Sequence, residues 1–159
     1  MNIKTIDQSN RKAINSMLIE RWQSLVMIVH GEAIDIGRAD GIYAEERGEI
    51  VGLVTYRLRS DKIFEILSFD TFQKKQGIGS ALLDKITAIA KELDCISIVL
   101  ETTNDNTEAL RFYQKHGFDI TAFHRDEMDN ARKMKPEIPL VGNDGIPLRH
   151  VFALELRVG

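Results

Sequence analysis

The chain has one cysteine, Cys95, among its 159 residues. That excludes an intrachain disulfide and any Cys-rich metal site. Cys95 falls between two apparent elements, which suits a small buried side chain better than a catalytic thiol. Prolines number only three, Pro136, Pro139 and Pro147, so most of the chain is free to form regular structure. No apolar run approaches the roughly 20 residues of a membrane-spanning helix. The N-terminal segment is polar and holds no signal-peptide core, so a cytoplasmic location is the expectation. Neither sign of charge dominates: 21 basic against 24 acidic residues leave a formal charge of −3. Nothing in that balance calls for nucleic acid or an anionic membrane as partner. His30, His116, His124 and His150 show no metal-ligand spacing, so no metal is expected.

What is present suits one soluble domain over residues 1–159 with a real core. The region around residues 69–83 organises the rest. An extended apolar run (Ile63, Phe64, Ile66, Leu67, Phe69) leads in, and a helical pattern (Ile78, Leu82, Ile86, Ile89, Leu93) leads out. Between them lies Lys74-Lys75-Gln76-Gly77-Ile78-Gly79-Ser80. Glycines allow a tight turn and close ligand approach. The first turn of a helix presents unpaired N–H groups at the positive end of its dipole, a place for phosphate. Two adjacent lysines add charge for the same purpose. A Walker loop is excluded because no lysine precedes Ser80, and a dinucleotide fingerprint fails because Leu82 stands where a third glycine belongs. A pyrophosphate cradle of the pattern [Gln/Arg]-x-x-Gly-x-[Gly/Ala] remains.

In chain order, residues 2–6 read as a strand and 10–22 as a helix, with Asp7, Ser9 or Asn10 available to cap it. Residues 25–29 fit strand or loop. Residues 42–46, 50–58 and 63–69 form an antiparallel meander, with turns at Arg47-Gly48-Glu49 and Ser60-Asp61-Lys62. After the central helix, 96–103 is a β-branched strand. A second helix comes next, with Asp105 and Glu108 at capping-box spacing and a stop at Gly117. Residues 118–123 form a strand, 126–147 a long loop, and 148–158 the closing strand.

The cradle resembles the acyl-CoA-binding motif of the GCN5-related N-acetyltransferase (GNAT) family, with Lys74 where that family usually has Arg or Gln. A second stretch, Asn106-x-x-Ala109-x-x-Phe112-Tyr113-x-x-x-Gly117-Phe118, resembles the family's other signature, at a matching distance. The likeness is good over residues 41–125. The tail, from Met128 to Leu148, looks like a bacterial branch of the family and brings no substrate with it. The resemblance implies an α/β (α+β) fold: a mixed, mostly antiparallel sheet of about six or seven strands flanked by helices. It implies acetyl transfer from acetyl-CoA to a primary amine, small-molecule or protein, by direct attack in a ternary complex. A non-catalytic acyl-CoA-binding or sensor module on the same scaffold is the alternative.

By that resemblance, backbone groups of Gln76, Gly77, Ile78, Gly79 and Ser80, with Lys74 and Lys75, meet the pyrophosphate. Leu67 and Phe69 offer backbone to the pantetheine, and the Phe69 N–H faces the thioester oxygen. Asn106 reads first as a helix cap and second as a cofactor contact, and Phe112 borders the cofactor. Tyr113 stands at the general-acid position and protonates the leaving thiolate. Glu65 is the expected base, directly or through water, because a lysine-like amine with a pKa of about 10 must lose a proton before it attacks. Glu101 is the weaker alternative. His30, Glu32 and the 126–147 loop are placed on the acceptor side; His116 and His124 read as surface or turn residues. The residues leave a homodimer open.

Overall fold

A computed structural model describes residues 1–73 and 77–159; the expectations for Lys74, Lys75 and Gln76 lie outside the described residues. Among the described residues, nine strands and four α-helices succeed one another. They are β1 (Asn2–Thr5), α1 (Arg11–Trp22), β2 (Val26–Val29), β3 (Glu32–Asp35), β4 (Asp40–Glu46), β5 (Glu49–Arg59) and β6 (Ile63–Thr71). Then come α2 (Ile78–Glu92), β7 (Ser97–Thr103), α3 (Thr107–Lys115), β8 (Asp119–His124), α4 (Glu127–Met134) and β9 (Val151–Arg157). Seven strands form one sheet in the order β1-β4-β5-β6-β7-β9-β8, while β2 and β3 pair as a separate hairpin. Every ladder of the large sheet is antiparallel except β6 with β7. The mixed, mostly antiparallel sheet expected from the sequence is what forms.

Strand alternation divides the apolar residues between two cores. On one face Val54, Phe64, Ile66, Ile98 and Leu154 pack under α2, whose Ile78, Leu82 and Ile86 point inward. On the other, Leu53 and Leu67 meet Ile14 and Leu18 of α1. Leu93, counted by its spacing with the inward face of α2, is the exposed helix cap instead. Cys95 is buried, and that burial raises its thiol pKa.

Three local readings are settled or corrected. Of the stretch 25–29, left open between strand and loop, Val26–Val29 is strand β2 and Leu25 lies outside it; β3, the partner of β2, is absent from the sequence reading. The turn between them, His30-Gly31, has φ of 52° and 73° at its two residues, the left-handed pair that matches the twist of a two-residue hairpin. The cap of α3 is Asn106, as expected, and not Asp105 of the capping-box spacing; the Asn106 side-chain oxygen accepts from the Ala109 N–H. Asp105 turns inward and accepts from the Thr103 hydroxyl and the Asn143 N–H. Finally, 126–147 is not one loop, because residues 127–134 contain no proline or glycine and form α4. Glu127 and Asp129 at its start and Arg132 and Lys133 at its end complement the helix dipole.

Arg132 fastens the segment between α4 and β9. Its guanidinium donates to the carbonyls of Ile138, Pro139 and Leu148. A planar fork can reach these carbonyls together; an ammonium cannot. Arg132→Lys is expected to cost about 2 kcal/mol and to lower Tm by roughly 4–8 °C, read by thermal melting.

Candidate active site

β6 and β7 pair over only three positions, Ile63↔Ser97, Phe64↔Ile98 and Glu65↔Val99, and then part. On its other side β6 stays paired with β5, where Thr55 faces Ser68 and Tyr56 faces Ile66, so Leu67 is an extra residue in β6. Such a bulge bends and twists the strand locally. It also reverses the alternation: Phe69, beyond the bulge, joins the same core as Phe64 and Ile66. The Phe72 N–H donates to the Val51 carbonyl. Antiparallel ladders alternate their hydrogen-bonding direction, so the register Leu53↔Asp70 and Val54↔Phe69 turns the N–H of Phe69 toward the gap.

Three cavities meet there. One of about 610 Å³ lies over the start of α2, lined by Gly77, Gly79, Ser80, Asn106 and Phe112. It shares Phe69, Asp70 and Tyr113 with a cleft of about 410 Å³ between the parted strands. That cleft in turn shares Ile66, Leu67 and Glu101 with a third cavity of about 250 Å³ on the hairpin side.

At the first cavity Gly77 holds φ 94° as the N-cap of α2, a conformation open to glycine at little cost. A Cβ on Gly79 would sit 3.1 Å from the Phe112 ring, so the helix entry stays bare only because no side chain stands there. Ile78 is buried in the core, leaving its backbone to serve the cradle. His116, read as a turn residue, has a definite place. Its Nδ1 is 2.8 Å from the Phe112 carbonyl and its Nε2 3.1 Å from Ser80 Oγ. A carbonyl can only accept, so Nδ1–H donates to it; in the neutral ring Nε2 then accepts from the serine hydroxyl.

Tyr113 is 5% exposed, with its ring edge-on to those of Phe69, Phe112 and Phe118. Burial, and then the charge of nearby Asp70, push the phenol well above its usual pKa. Asp70, missed in the sequence, lines both adjoining cavities, and burial pushes its carboxyl up to about 6. Only its position one residue after the expected thioester contact could have marked it.

The third cavity has mostly apolar walls and an ionisable floor. Glu65 is 2% exposed. One of its oxygens receives the Arg57 Nε–H at 2.6 Å, and the other lies 2.9 Å from His30 Nε2. Glu101 sits 3.5 Å from His30 Nδ1 and 3.5 Å from His124 Nε2. Burial raises the Glu101 pKa, opposed by the two imidazoles. Among the described residues no three such groups are arranged to hold a metal ion. The structure thus brings Glu65, Glu101 and His30 together. Glu32 reaches the cluster only through Arg57, at 4.0 Å. Arg57 and His124 were not anticipated.

The Acetyltransferase (GNAT) family model matches residues 8–118. The protein YxbD of Bacillus subtilis (strain 168) is 37% identical over 155 residues, 97% of either chain. Among solved structures, an IAA acetyltransferase from Bacillus cereus ATCC 14579 is similar with a TM-score of 0.75 at 23% identity, over 98% of both chains. A GNAT family acetyltransferase from Elizabethkingia anophelis, with acetyl-CoA bound, gives 0.73 at 19%, over 98% of this chain and 97% of that one. The solved structures speak for the fold; the family model, matching well over half of the chain, identifies it as a member of the GNAT acetyltransferase family.

Proposed function

We propose that the chain transfers an acetyl group from acetyl-CoA to a primary amine by direct attack in a ternary complex. One observation carries this reading: the three cavities share walls, so the entry of α2 and an ionisable pocket open onto the same gap between β6 and β7. The acetyl-CoA bound to the E. anophelis protein supports the choice of cofactor.

The diphosphate meets the amides of Gly77, Ile78, Gly79 and Ser80, with Lys74, Lys75 and Gln76 assigned by motif alone. Asn106 and Phe112 border it. The pantetheine lies along the unpaired backbone of β6 at Leu67 and Phe69, as an added strand would. The Phe69 N–H receives the charge that builds on the thioester oxygen, an interaction worth about 3 kcal/mol in such sites. Tyr113, kept protonated by its burial, donates to the sulfur as it leaves. The same desolvation raises the proton affinity of the departing thiolate, so donor and acceptor shift together. Glu65 serves proton removal at the other end.

Acetyl-CoA with a panel of amines, monitored by thiol release, tests the reading. Release above the amine-free rate supports it, whereas CoA binding without release would leave a binding module. Tyr113→Phe is expected to cut kcat about 100-fold while the acetyl-CoA Kd stays near that of the parent. Gly79→Trp is expected to abolish CoA binding in calorimetry by filling the cradle. Asp70 adds a pH dependence. Its folded carboxyl holds the proton more tightly than the unfolded one, so its contribution is complete below about pH 4 and falls away as pH rises through about 6. Asp70→Asn should therefore raise Tm at pH 8 and not at pH 4. The gain at pH 8 is at most about 3 kcal/mol, less the share that water screens.

A further inference from the structure

We propose that His30 is the group that takes the proton from the acceptor amine, with Glu65 fixing its ring and Glu101 drawing the ammonium to it. This rests on the acetyl-transfer reading and deepens it. Glu65 is poorly placed to accept a proton itself. It is almost wholly buried, and its two oxygens are engaged, one by Arg57 and one by His30.

The imidazole has what Glu65 lacks. Its side chain is 48% exposed and lines the hairpin-side cavity. The carboxylate at Nε2 selects the tautomer with the proton on Nε2, as the buried acid does in a histidine–carboxylate pair. The lone pair is then on Nδ1, the nitrogen that faces Glu101 at 3.5 Å. That distance is too long for a direct hydrogen bond between the two, and an amine N–H can stand between them.

Charged and titratable groups face His30 from every neighbouring element. Glu65 comes from β6, Arg57 from β5 behind it, Glu101 from β7, and His124 from the end of β8 beyond Glu101. Glu32 on β3 pairs with Arg57, and Glu127 and Lys135 line the same cavity from α4 and its end. The Lys135 ammonium is turned aside to the Val26 carbonyl, 2.7 Å away. The carboxylates of Glu101 and Glu127 therefore favour a cation in the cavity. Apolar neighbours such as Met27, Val29, Met128 and Ile138 suit an acceptor with one amine on an apolar body.

The protons balance. The ammonium gives one to Nδ1, and the imidazolium, held by Glu65, passes it to solvent through its exposed edge. The freed nitrogen pair attacks the thioester carbon and the C–S bond breaks. As the amide forms, the second proton passes from the nitrogen to Nδ1 and on to solvent, and solvent returns to Tyr113 the proton it gave to sulfur, so one proton is released per turnover.

The test measures thiol release from acetyl-CoA with phenethylamine and hexylamine as probes, for the parent, His30→Gly and Glu65→Gln, from acid to alkaline pH. Glycine suits the positive φ at this turn, so His30→Gly is expected to fold and to bind acetyl-CoA like the parent. It is expected to slow turnover about 100-fold, to lose the rising limb of the pH profile, and to regain rate with added imidazole. Glu65→Gln still accepts from Nε2–H, so the limb should move to lower pH rather than vanish. A His30→Gly rate within about twofold of the parent, or a limb deleted by Glu65→Gln alone, would overturn this assignment and leave acetyl transfer standing. No thiol release by the parent with any amine would instead sink the underlying reading.

Discussion

Everything in this molecule depends on a ladder that stops. β6 and β7 are hydrogen-bonding neighbours at Glu65 and Val99 and not beyond. Leaving backbone N–H and C=O groups unpaired in the middle of a sheet is costly unless water or another chain satisfies them. A gap of this kind persists only where the surrounding structure holds it open. The extra residue at Leu67 bends β6 on one side of the gap. On the other, β7 is held straight by its pairing with β9 along its whole length, from Ser97↔Arg157 to Thr103↔Val151. A strand that is bent and a strand that is clamped cannot stay parallel neighbours.

The gap sorts charge as well as shape. Its α2 side offers the positive end of a helix and the bare entry at Gly77 and Gly79. Its hairpin side offers the carboxylates of Glu65, Glu101 and Glu127. In the proposed reaction an anionic cofactor and a cationic acceptor would enter by opposite mouths and meet where Phe69 and Asp70 line the middle. Burial pushes the Asp70 carboxyl up to about 6, and Asp70 lines both of the cavities that adjoin Tyr113.

Legibility in the sequence tracks the range of the forces involved. The meander, α2 and β7 are readable because period-two and period-3.6 patterns reflect burial against one sheet. The glycine cradle and the Asn106–Phe118 stretch are readable because backbone approach and capping leave local marks. The hairpin β2–β3 is not, since His30-Gly31 carries only one glycine and its flanking strands are four residues each. α4 is masked by the prolines beyond its end. The partners Arg57, Asp70 and His124 carry little local mark: each owes its place to register across the sheet, set for Arg57 and Asp70 by the bulge at Leu67 and for His124 by the pairing of β8 with β9.

The hairpin side of the gap therefore depends on contacts between segments far apart in the chain. Arg132 gathers the carbonyls of Ile138, Pro139 and Leu148. Asp105 ties the end of β7 to Asn143 through the Thr103 hydroxyl and the Asn143 N–H, and Gly142 packs so closely on it that no Cβ fits. Lys135 then reaches across to the Val26 carbonyl, joining the end of α4 to the hairpin that presents His30. The chain thus closes a loop in space, from β7 through the tail to β2 and back through Glu65 to β6. Each tie is a hydrogen bond of modest net worth. Together they fix the separation of His30, Glu65 and Glu101 from three elements, and fixing that separation is what the proposed proton transfer requires.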